Sequence, residues 1–213
     1  MPSPSEQIVG LYQRHAAAWD RLRSPGSLFE KPWLDRFLAL VPAPPPHAAQ
    51  REARAAATIL DVGCGAGLPI SGYFIRQGYR VTGVDTSEPL LEMASGRFPE
   101  QEWIPADMRT LDLGRQFEGV LAWHNFFHLT PEGQTAMFPV FRRHAAPGAP
   151  LMFTSGSERG SVLGDFQGEP LYHGSLDPGE YRSLLAQNGF EEIAFVAEDH
   201  ATIWLARAVA AQP

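Results

Sequence analysis

The chain has 213 residues and a formal net charge of −7, with 44% hydrophobic and 19% charged residues. This length and composition predict one folded domain with a modest appendage and argue against intrinsic disorder. The acidic balance disfavours nucleic acid as the main partner, because binding a polyanion requires a basic face.

The cysteine content and the absence of long apolar runs narrow the class further. The single cysteine, Cys64, excludes an intramolecular disulfide and a cysteine-based zinc site. No apolar run approaches the roughly 20 residues that span a bilayer. The first residues lack the basic and apolar regions of a signal peptide. We therefore expect a cytoplasmic protein that does not associate with membranes.

The N-terminal quarter predicts two helices. Apolar residues at helical spacing indicate a helix over about 5–23, and a second helix over about 32–40 opens with a proline. The proline-rich run 41–46 predicts a stiff connector. We accordingly divide the chain into a helical cover with its connector, residues 1–46, and a main domain, residues 47–213.

From about residue 57, predicted strands alternate with predicted helices, which indicates a parallel sheet with right-handed crossovers. The strands are expected at about 58–62, 80–85, 103–104, 119–123 and 151–154, and the helices at about 68–77, 87–97 and 131–144. The Gly- and Ser-rich stretch 155–177 predicts a long loop, of the kind that forms lids. A helix to about Asn188 follows it. Two closing strands, about 190–197 and 201–206, lie too close together for a crossover and should pair as an antiparallel hairpin.

The strongest local signal is the glycine turn, Asp61-Val62-Gly63-Cys64-Gly65-Ala66-Gly67, between a predicted strand and a predicted helix. Its glycines permit a tight turn and a close approach of ligand to backbone. A dinucleotide-binding turn prefers glycine or alanine where this chain has Leu68, because helix and strand pack closely there. Asp61 would repel a diphosphate and attract an ammonium group.

Two further carboxylates follow the next strands. Asp85 ends the second predicted strand, where a carboxylate can accept hydrogen bonds from both hydroxyls of a ribose. Asp107 ends the third, where a carboxylate beside a backbone N–H can bind adenine. An ordinary role for Asp107 as a turn or cap residue is the alternative. A site for ribose, adenine and an ammonium group, without phosphate, fits S-adenosylmethionine.

From about residue 57 to the end, the chain resembles class I S-adenosylmethionine-dependent methyltransferases. The likeness rests on the glycine turn, Val81–Asp85, Asp107-Met108, Phe117–Leu121 and Ala146–Ala149. The resemblance implies an α/β, Rossmann-like fold with a seven-stranded, mostly parallel sheet, an antiparallel last strand and helices on both faces. The segment Trp123–Leu129 is similar to one in small bacterial methyltransferases whose substrates are mostly unassigned.

The resemblance also implies a cofactor site. It places Asp61 and the glycine backbone near the methionine part, Asp85 at the ribose, and Asp107 with Met108 at the adenine. An aromatic face of the first helix could cover the cofactor by cation–π attraction, with ordinary packing as the alternative. The cofactor-binding residues that we predict are Tyr12, Trp19, Asp61, Gly63, Cys64, Gly65, Gly67, Asp85, Thr86, Asp107, Met108 and His124.

The acceptor side is less specified by sequence. Methyl transfer from a sulfonium needs alignment above all, and a base only if the nucleophile arrives protonated. His128 is our candidate catalytic base or positioning group, with a hydrogen bond to backbone as the plain alternative. Phe127, Tyr172 and His173 are our candidate substrate contacts, and the aromatic content suggests a mainly apolar, flat acceptor.

Other functions remain as alternatives. A nicotinamide-dependent oxidoreductase shares the sheet but is disfavoured by Leu68 and Asp61, and a noncatalytic S-adenosylmethionine-binding module stays open. The Asn/Asp-Pro-Pro-aromatic motif of enzymes that methylate amino groups of nucleic-acid bases is absent. No residue cluster has convincing metal-ligand spacing, so we predict no metal. We expect a small-molecule partner, and either a monomer or a homodimer.

Overall fold

The computed structural model describes residues 4–23, 28–44, 57–198 and 201–209. The helices are α1 Pro4–Arg14, α2 Ala16–Arg23, α3 Lys31–Leu38, α4 Ile70–Arg76, α5 Glu88–Arg97, α6 Pro131–His144 and α7 Pro178–Gln187. The strands are β1 Thr58–Val62, β2 Arg80–Asp85, β3 Glu102–Pro105, β4 Gly119–Ala122, β5 Pro150–Ser155, β6 Gly160–Phe166, β7 Glu169–Ser175, β8 Phe190–Glu198 and β9 Ala201–Ala208. The end of the predicted connector and the predicted domain boundary at residues 46 and 47 lie outside the described ranges.

Seven strands form one sheet in the order β3-β2-β1-β4-β5-β9-β8. The pairs among β1 to β5 are parallel, whereas β9 runs antiparallel to both β5 and β8. The predicted fold class is therefore confirmed. The chain leaves β1 towards β2 and β3, then returns to place β4 on the other side of β1. The carboxyl ends of β1 and β4 therefore form the switch point where such sheets bind ligands.

Helices cover both faces of the sheet. On one face, α6 and α7 pack a cluster of aromatic rings against the strands, including Phe126, Phe138, Phe153, Tyr181 and Trp204. On the other face, α3 and α4 bury Phe37 and Phe74. Each such side chain contributes roughly 1.5–3 kcal/mol through burial. Leu34 and Phe37 of α3 are fully buried and pack in the cluster on this second face with Ile59 of β1.

The predicted first helix is divided in two by the structure. α1 ends at Arg14 and α2 starts at Ala16, with His15 between them. The hydrogen bonds from His15 N to Leu11 O and from Trp19 N to His15 O continue across the junction. The break is therefore a local bend rather than a loop.

The prediction of a long loop over 155–177 was wrong. This stretch contains β6 and β7, which pair as an antiparallel hairpin apart from the main sheet. Gln167 and Gly168 connect them, with φ values of 58° and 81°. Two positive φ angles in a two-residue turn match the twist of a hairpin. The sequence Gln-Gly is a weaker signal for this turn than Asn-Gly, which explains the missed hairpin.

Candidate active site

A cleft opens at the carboxyl ends of β1, β2 and β4, beneath α1 and α2. It encloses about 1100 Å³, counting space open to solvent, so it can hold a ligand of nucleoside size or larger. The predicted site residues that line it are Tyr12, Trp19, Asp61, Gly63, Cys64, Gly65, Asp85, Thr86, Asp107, Met108, His124 and His128. Those that lie outside its lining are Gly67, Phe127, Tyr172 and His173.

The glycine turn forms the floor of the cleft. Gly63 and Gly65 have φ values of 74° and 55°, in the region that favours glycine. The N–H groups of Gly63 and Cys64 both donate to the carbonyl of Val84, at 2.7 and 3.0 Å, which ties the turn to β2. Gly67 also has a positive φ, 75°, and lies outside the cleft lining, where a Cβ would lie 3.1 Å from the Trp103 ring.

Asp61 lies at the end of β1, buried at 3% exposure. Its Oδ2 accepts a hydrogen bond of 2.5 Å from the hydroxyl of Ser71 on α4. Burial raises the pKa of Asp61 to about 6, and the Ser71 hydrogen bond opposes that rise. Asp61 is thus mostly ionised at pH 7 and provides negative charge at the cleft floor.

Asp85 joins the glycine turn to the next strand. Its Oδ2 accepts from Gly65 N and its Oδ1 accepts from Ser87 N, both at 2.9 Å. Burial raises the pKa of Asp85, and these backbone hydrogen bonds work against the rise. Each carboxylate oxygen has a second lone pair, so Asp85 can still accept two hydroxyl groups of a ligand.

Asp107 caps a short 3₁₀ turn, Met108–Thr110, and faces Arg109. Its Oδ1 accepts from Arg109 N at 2.9 Å, and the Arg109 guanidinium covers both oxygens. The hydrogen bonds from Arg109 hold the pKa of Asp107 below its usual range. Asp107 therefore does cap the 3₁₀ turn, as the alternative interpretation predicted. Contact of Asp107 and Met108 with adenine stays a prediction.

The first two helices are fastened over the glycine turn. Arg97 on α5 donates to both carboxylate oxygens of Asp20 at 2.7 and 2.6 Å, and to the Ala66 carbonyl at 3.0 Å. Trp19 lies directly above Gly65, with its Nε1 at 3.5 Å from the position that a Cβ would take. These contacts hold an aromatic wall over the cleft.

Tyr12 and His128 form a hydrogen-bonded pair in the cleft. Nδ1 of His128 lies 2.8 Å from the carbonyl of Tyr172, which can only accept, so Nδ1 carries the proton. Nε2 of the neutral ring therefore accepts from the Tyr12 hydroxyl at 2.9 Å. Burial lowers the pKa of His128 to about 4 and raises that of Tyr12. Both groups are therefore neutral at pH 7.

The remaining acceptor-side predictions surround this pair. His124 lines the cleft with a φ of 54°, and its N–H donates to Thr154 Oγ1 at 2.9 Å. Burial lowers the pKa of His124 to about 4. The rings of Phe127 and His173 lie 4.9 Å apart, and His173 lies 5.1 Å from His128. They form a layer behind His128, whereas Tyr172 contributes its backbone carbonyl.

Several polar residues of the cleft were not predicted from the sequence, among them Arg23 and Asn125. Arg23 ends α2, and its Nη2 donates to the buried carboxylate of Glu30 at 2.7 Å. Asn125 lies in the cleft and in the segment Trp123–Leu129, which was noted for its similarity to one in small bacterial methyltransferases. The sequence signal that could have identified Asn125 was a side-chain amide within a mostly aromatic stretch after β4.

The described ranges contain neither a metal-binding cluster nor a membrane-spanning helix. No group of three or more His, Cys, Asp or Glu side chains there could hold a metal ion. None of the helices in those ranges is long and apolar enough to cross a membrane.

The fold and the cleft define a doubly wound nucleotide-binding domain with a carboxylate inside its glycine turn. Residues 59–148 match the family described as a methyltransferase domain. Residues 59–148 are thus similar to a methyltransferase domain, and the resemblance noted from the sequence is confirmed over that stretch.

Curated relatives share this region. Over 95 residues the chain is 32% identical to an N,N-dimethyltransferase for dTDP-3-amino-3,4,6-trideoxy-alpha-D-glucopyranose from Streptomyces venezuelae, covering 44% of this chain and 40% of that protein. Over 97 residues it is 33% identical to a trans-aconitate 2-methyltransferase from Azoarcus, covering 45% of this chain and 38% of that protein. The chain thus spans about two fifths of the length of these two curated relatives.

Solved structures share the whole fold. Magnesium protoporphyrin IX methyltransferase from Synechocystis, crystallised with S-adenosylmethionine, has a TM-score of 0.74 at 15% identity, covering 98% of each chain. The 1,6-didemethyltoxoflavin-N1-methyltransferase of Burkholderia thailandensis, with bound 1,6-didemethyltoxoflavin and S-adenosylhomocysteine, has a TM-score of 0.69 at 19% identity. The match covers 99% of this chain and 92% of that one. At these identities the likeness establishes the fold.

Proposed function

We propose that this chain transfers a methyl group from S-adenosylmethionine to a small-molecule acceptor at the carboxyl edge of its sheet. The observation that carries the proposal is the cleft itself, which combines the glycine turn, the buried Asp61 and the Asp85 carboxylate under an aromatic cover. When bound, S-adenosylmethionine supplies a methyl group on a positively charged sulfur.

The residues of the cleft fit this cofactor. Asp85 has lone pairs for both ribose hydroxyls, and Met108 offers an apolar surface for adenine beside Asp107. Asp61 provides negative charge for the ammonium of the methionine part. Trp19, held above Gly65, can face the sulfonium by cation–π attraction. A diphosphate would meet the negative charge of Asp61 at the same floor.

The residues on the acceptor side favour positioning over proton removal. Nε2 of His128 already accepts the Tyr12 proton, and a pKa of about 4 makes His128 a weak base. An acceptor that brings its own lone pair needs no base. In our proposal Tyr12 and His128 orient the acceptor and exclude water, while alignment lowers the barrier by up to roughly 7–11 kcal/mol.

The acceptor is a small and mainly apolar molecule in this proposal. Tyr12, Trp19 and Trp123 give the cleft aromatic walls. The net charge of −7 disfavours a nucleic-acid acceptor. The similar proteins are named for an amino sugar, trans-aconitate, a porphyrin and a toxoflavin precursor, which supports a small molecule without selecting one. Cytoplasmic location and a monomeric or homodimeric state stay predictions.

Titration calorimetry tests the cofactor assignment. We expect S-adenosylhomocysteine to bind the purified chain and NAD(H) to show no heat of binding at the same concentrations. The reverse result would favour the oxidoreductase alternative. Incubation with S-adenosylmethionine carrying a labelled methyl group and a metabolite extract then separates an enzyme from a noncatalytic binding module, which would leave every metabolite unlabelled.

A further inference from the structure

The side chain of Asn125 lies between the carboxyl ends of β1 and β4. Its Nδ2 lies 2.6 Å from the carbonyl oxygen of Val62, 3.2 Å from that of Gly63 and 3.0 Å from that of Trp123. Three backbone carbonyls therefore converge on one nitrogen atom at the floor of the cleft. Asp61, Gly63, Trp123 and Asn125 all line that cleft.

Three acceptors outnumber the two hydrogens of the amide, so at least one hydrogen must be shared between two carbonyls. An amide nitrogen has two hydrogens, whereas a primary ammonium has three hydrogens and a full positive charge. Hydrogen bonds from a charged donor are also shorter and stronger than those from a neutral one. Three carbonyls in a cleft that Asp61 also lines thus suit an ammonium group better than the amide that now lies there.

The other end of the amide is also poorly satisfied. Oδ1 of Asn125 is buried and has no hydrogen-bond partner among the described residues. Exchanging the two ends of the amide would place an oxygen against three carbonyl oxygens, so the orientation is determined by its surroundings. The close approach also depends on Gly63, because a Cβ there would overlap the Asn125 side chain.

We infer that Asn125 is a plug for the cofactor site. Its amide nitrogen takes the position of the ammonium group of S-adenosylmethionine, and the side chain must leave before that group can bind. The inference rests on the proposed function. When the ammonium group displaces the side chain, a donor with three hydrogens replaces an amide with two. Oδ1 of Asn125 also leaves a buried position where it has no hydrogen-bond partner among the described residues. Asn125 would then reduce affinity for every ligand that has the amino-acid tail.

Comparing two ligands in the variant Asn125→Ala tests the plug. S-adenosylhomocysteine has the amino-acid tail, whereas 5′-methylthioadenosine has adenine, ribose and the thioether sulfur without that tail. We expect the variant to bind S-adenosylhomocysteine roughly 3–10-fold more tightly, the factor that corresponds to the net free energy of one hydrogen bond. Binding of 5′-methylthioadenosine should be unchanged. Association of S-adenosylhomocysteine, followed by stopped-flow tryptophan fluorescence, should become faster.

Other results would overturn the plug. Weaker binding of S-adenosylhomocysteine alone would mean that Asn125 holds the tail, and equal changes for both ligands would mean that it only supports the turn. Asn125→Ser, too short to reach all three carbonyls, should repeat the result if the alanine variant fails to fold, as judged by thermal melting. If the wild type bound neither ligand, the proposed function itself would fail, which is a distinguishable outcome.

Discussion

The hydroxyl of Tyr12 lies 2.9 Å from Nε2 of His128, although 116 positions separate the two residues in the chain. The Tyr172 carbonyl holds the other ring nitrogen of His128. One imidazole therefore joins the first helix, the segment after β4 and the β6–β7 hairpin. Any change in this pair is expected to act on the cover of the cleft as well as on the acceptor.

Replacing Tyr12 by phenylalanine should separate the effect of this pair on the acceptor from its effect on the cover of the cleft. The ring stays, but Nε2 of His128 is left buried without a partner, which costs about 1–3 kcal/mol of stability. We expect kcat/KM for the acceptor to fall at least about tenfold, the effect of losing roughly 1.4 kcal/mol in the transition state. The Kd for S-adenosylhomocysteine should change less. Tyr79, also buried but outside the cleft lining, provides the control Tyr79→Phe, which should retain full activity.

Asp85→Asn should weaken cofactor binding while the fold is retained. The substitution removes the charge that, in our proposal, accepts the two ribose hydroxyls, and it turns an amide towards Gly65 N or Ser87 N. Because hydrogen bonds to charged groups contribute roughly 1.5–3 kcal/mol each, we expect the Kd for S-adenosylhomocysteine to rise about 10–100-fold. Calorimetry measures the Kd and circular dichroism checks the fold. Asp112→Asn, at an exposed position, is the matched control; unchanged Kd in the Asp85 variant would remove that residue from the site.

Acidification should destabilise the protein through His128. Its pKa is about 4 in the folded chain and 6.5 in the unfolded one, so the unfolded state binds the proton first as pH falls. The stability that comes from a neutral His128 is fully present above pH 6.5 and is lost towards pH 4, about 3 kcal/mol at most. Asp61, whose pKa is raised to about 6, acts in the opposite direction. The difference between wild type and His128→Gln therefore isolates the histidine. Denaturant titrations from pH 7 to 4.5 should show a smaller pH slope for the variant, and equal slopes would refute the assignment.

The β6–β7 hairpin should loosen below pH 4.5. Glu169 on β7 accepts hydrogen bonds from Arg14 and His15, and these lower its pKa to about 2 from the usual 4.5. A carboxyl with a lowered pKa stabilises the docked hairpin above pH 4.5 and loses that effect as pH falls towards 2. Amide hydrogen exchange in 160–175 should accelerate over this range in the wild type after correction for the intrinsic pH dependence. Glu169→Gln should exchange fast at pH 6 already, with little further change on acidification.

Much of the fold was predictable because its signals are local. Thr130 accepts from Gly133 N at 3.2 Å and begins α6, and Asp177 forms a capping box with Glu180 that begins α7, both where the sequence indicated. Strands alternating with helices led to the parallel sheet, and the short gap after β8 led to the antiparallel end. The glycine turn and Asp85 were found for the same reason, since each is recognised from neighbours in the chain.

The sequence by itself thus determined the sheet, the turn at its switch point and the carboxylates that follow its strands, because hydrophobic periodicity and turn residues within short stretches of the chain specify these features. Only the tertiary structure decided that Tyr12 meets His128, that Phe166 of the hairpin packs on Trp19 with ring centres 5.8 Å apart, and that Asn125 fills a ring of three carbonyls. Those contacts depend on the angles at which whole elements pack, and no short stretch of residues encodes such angles.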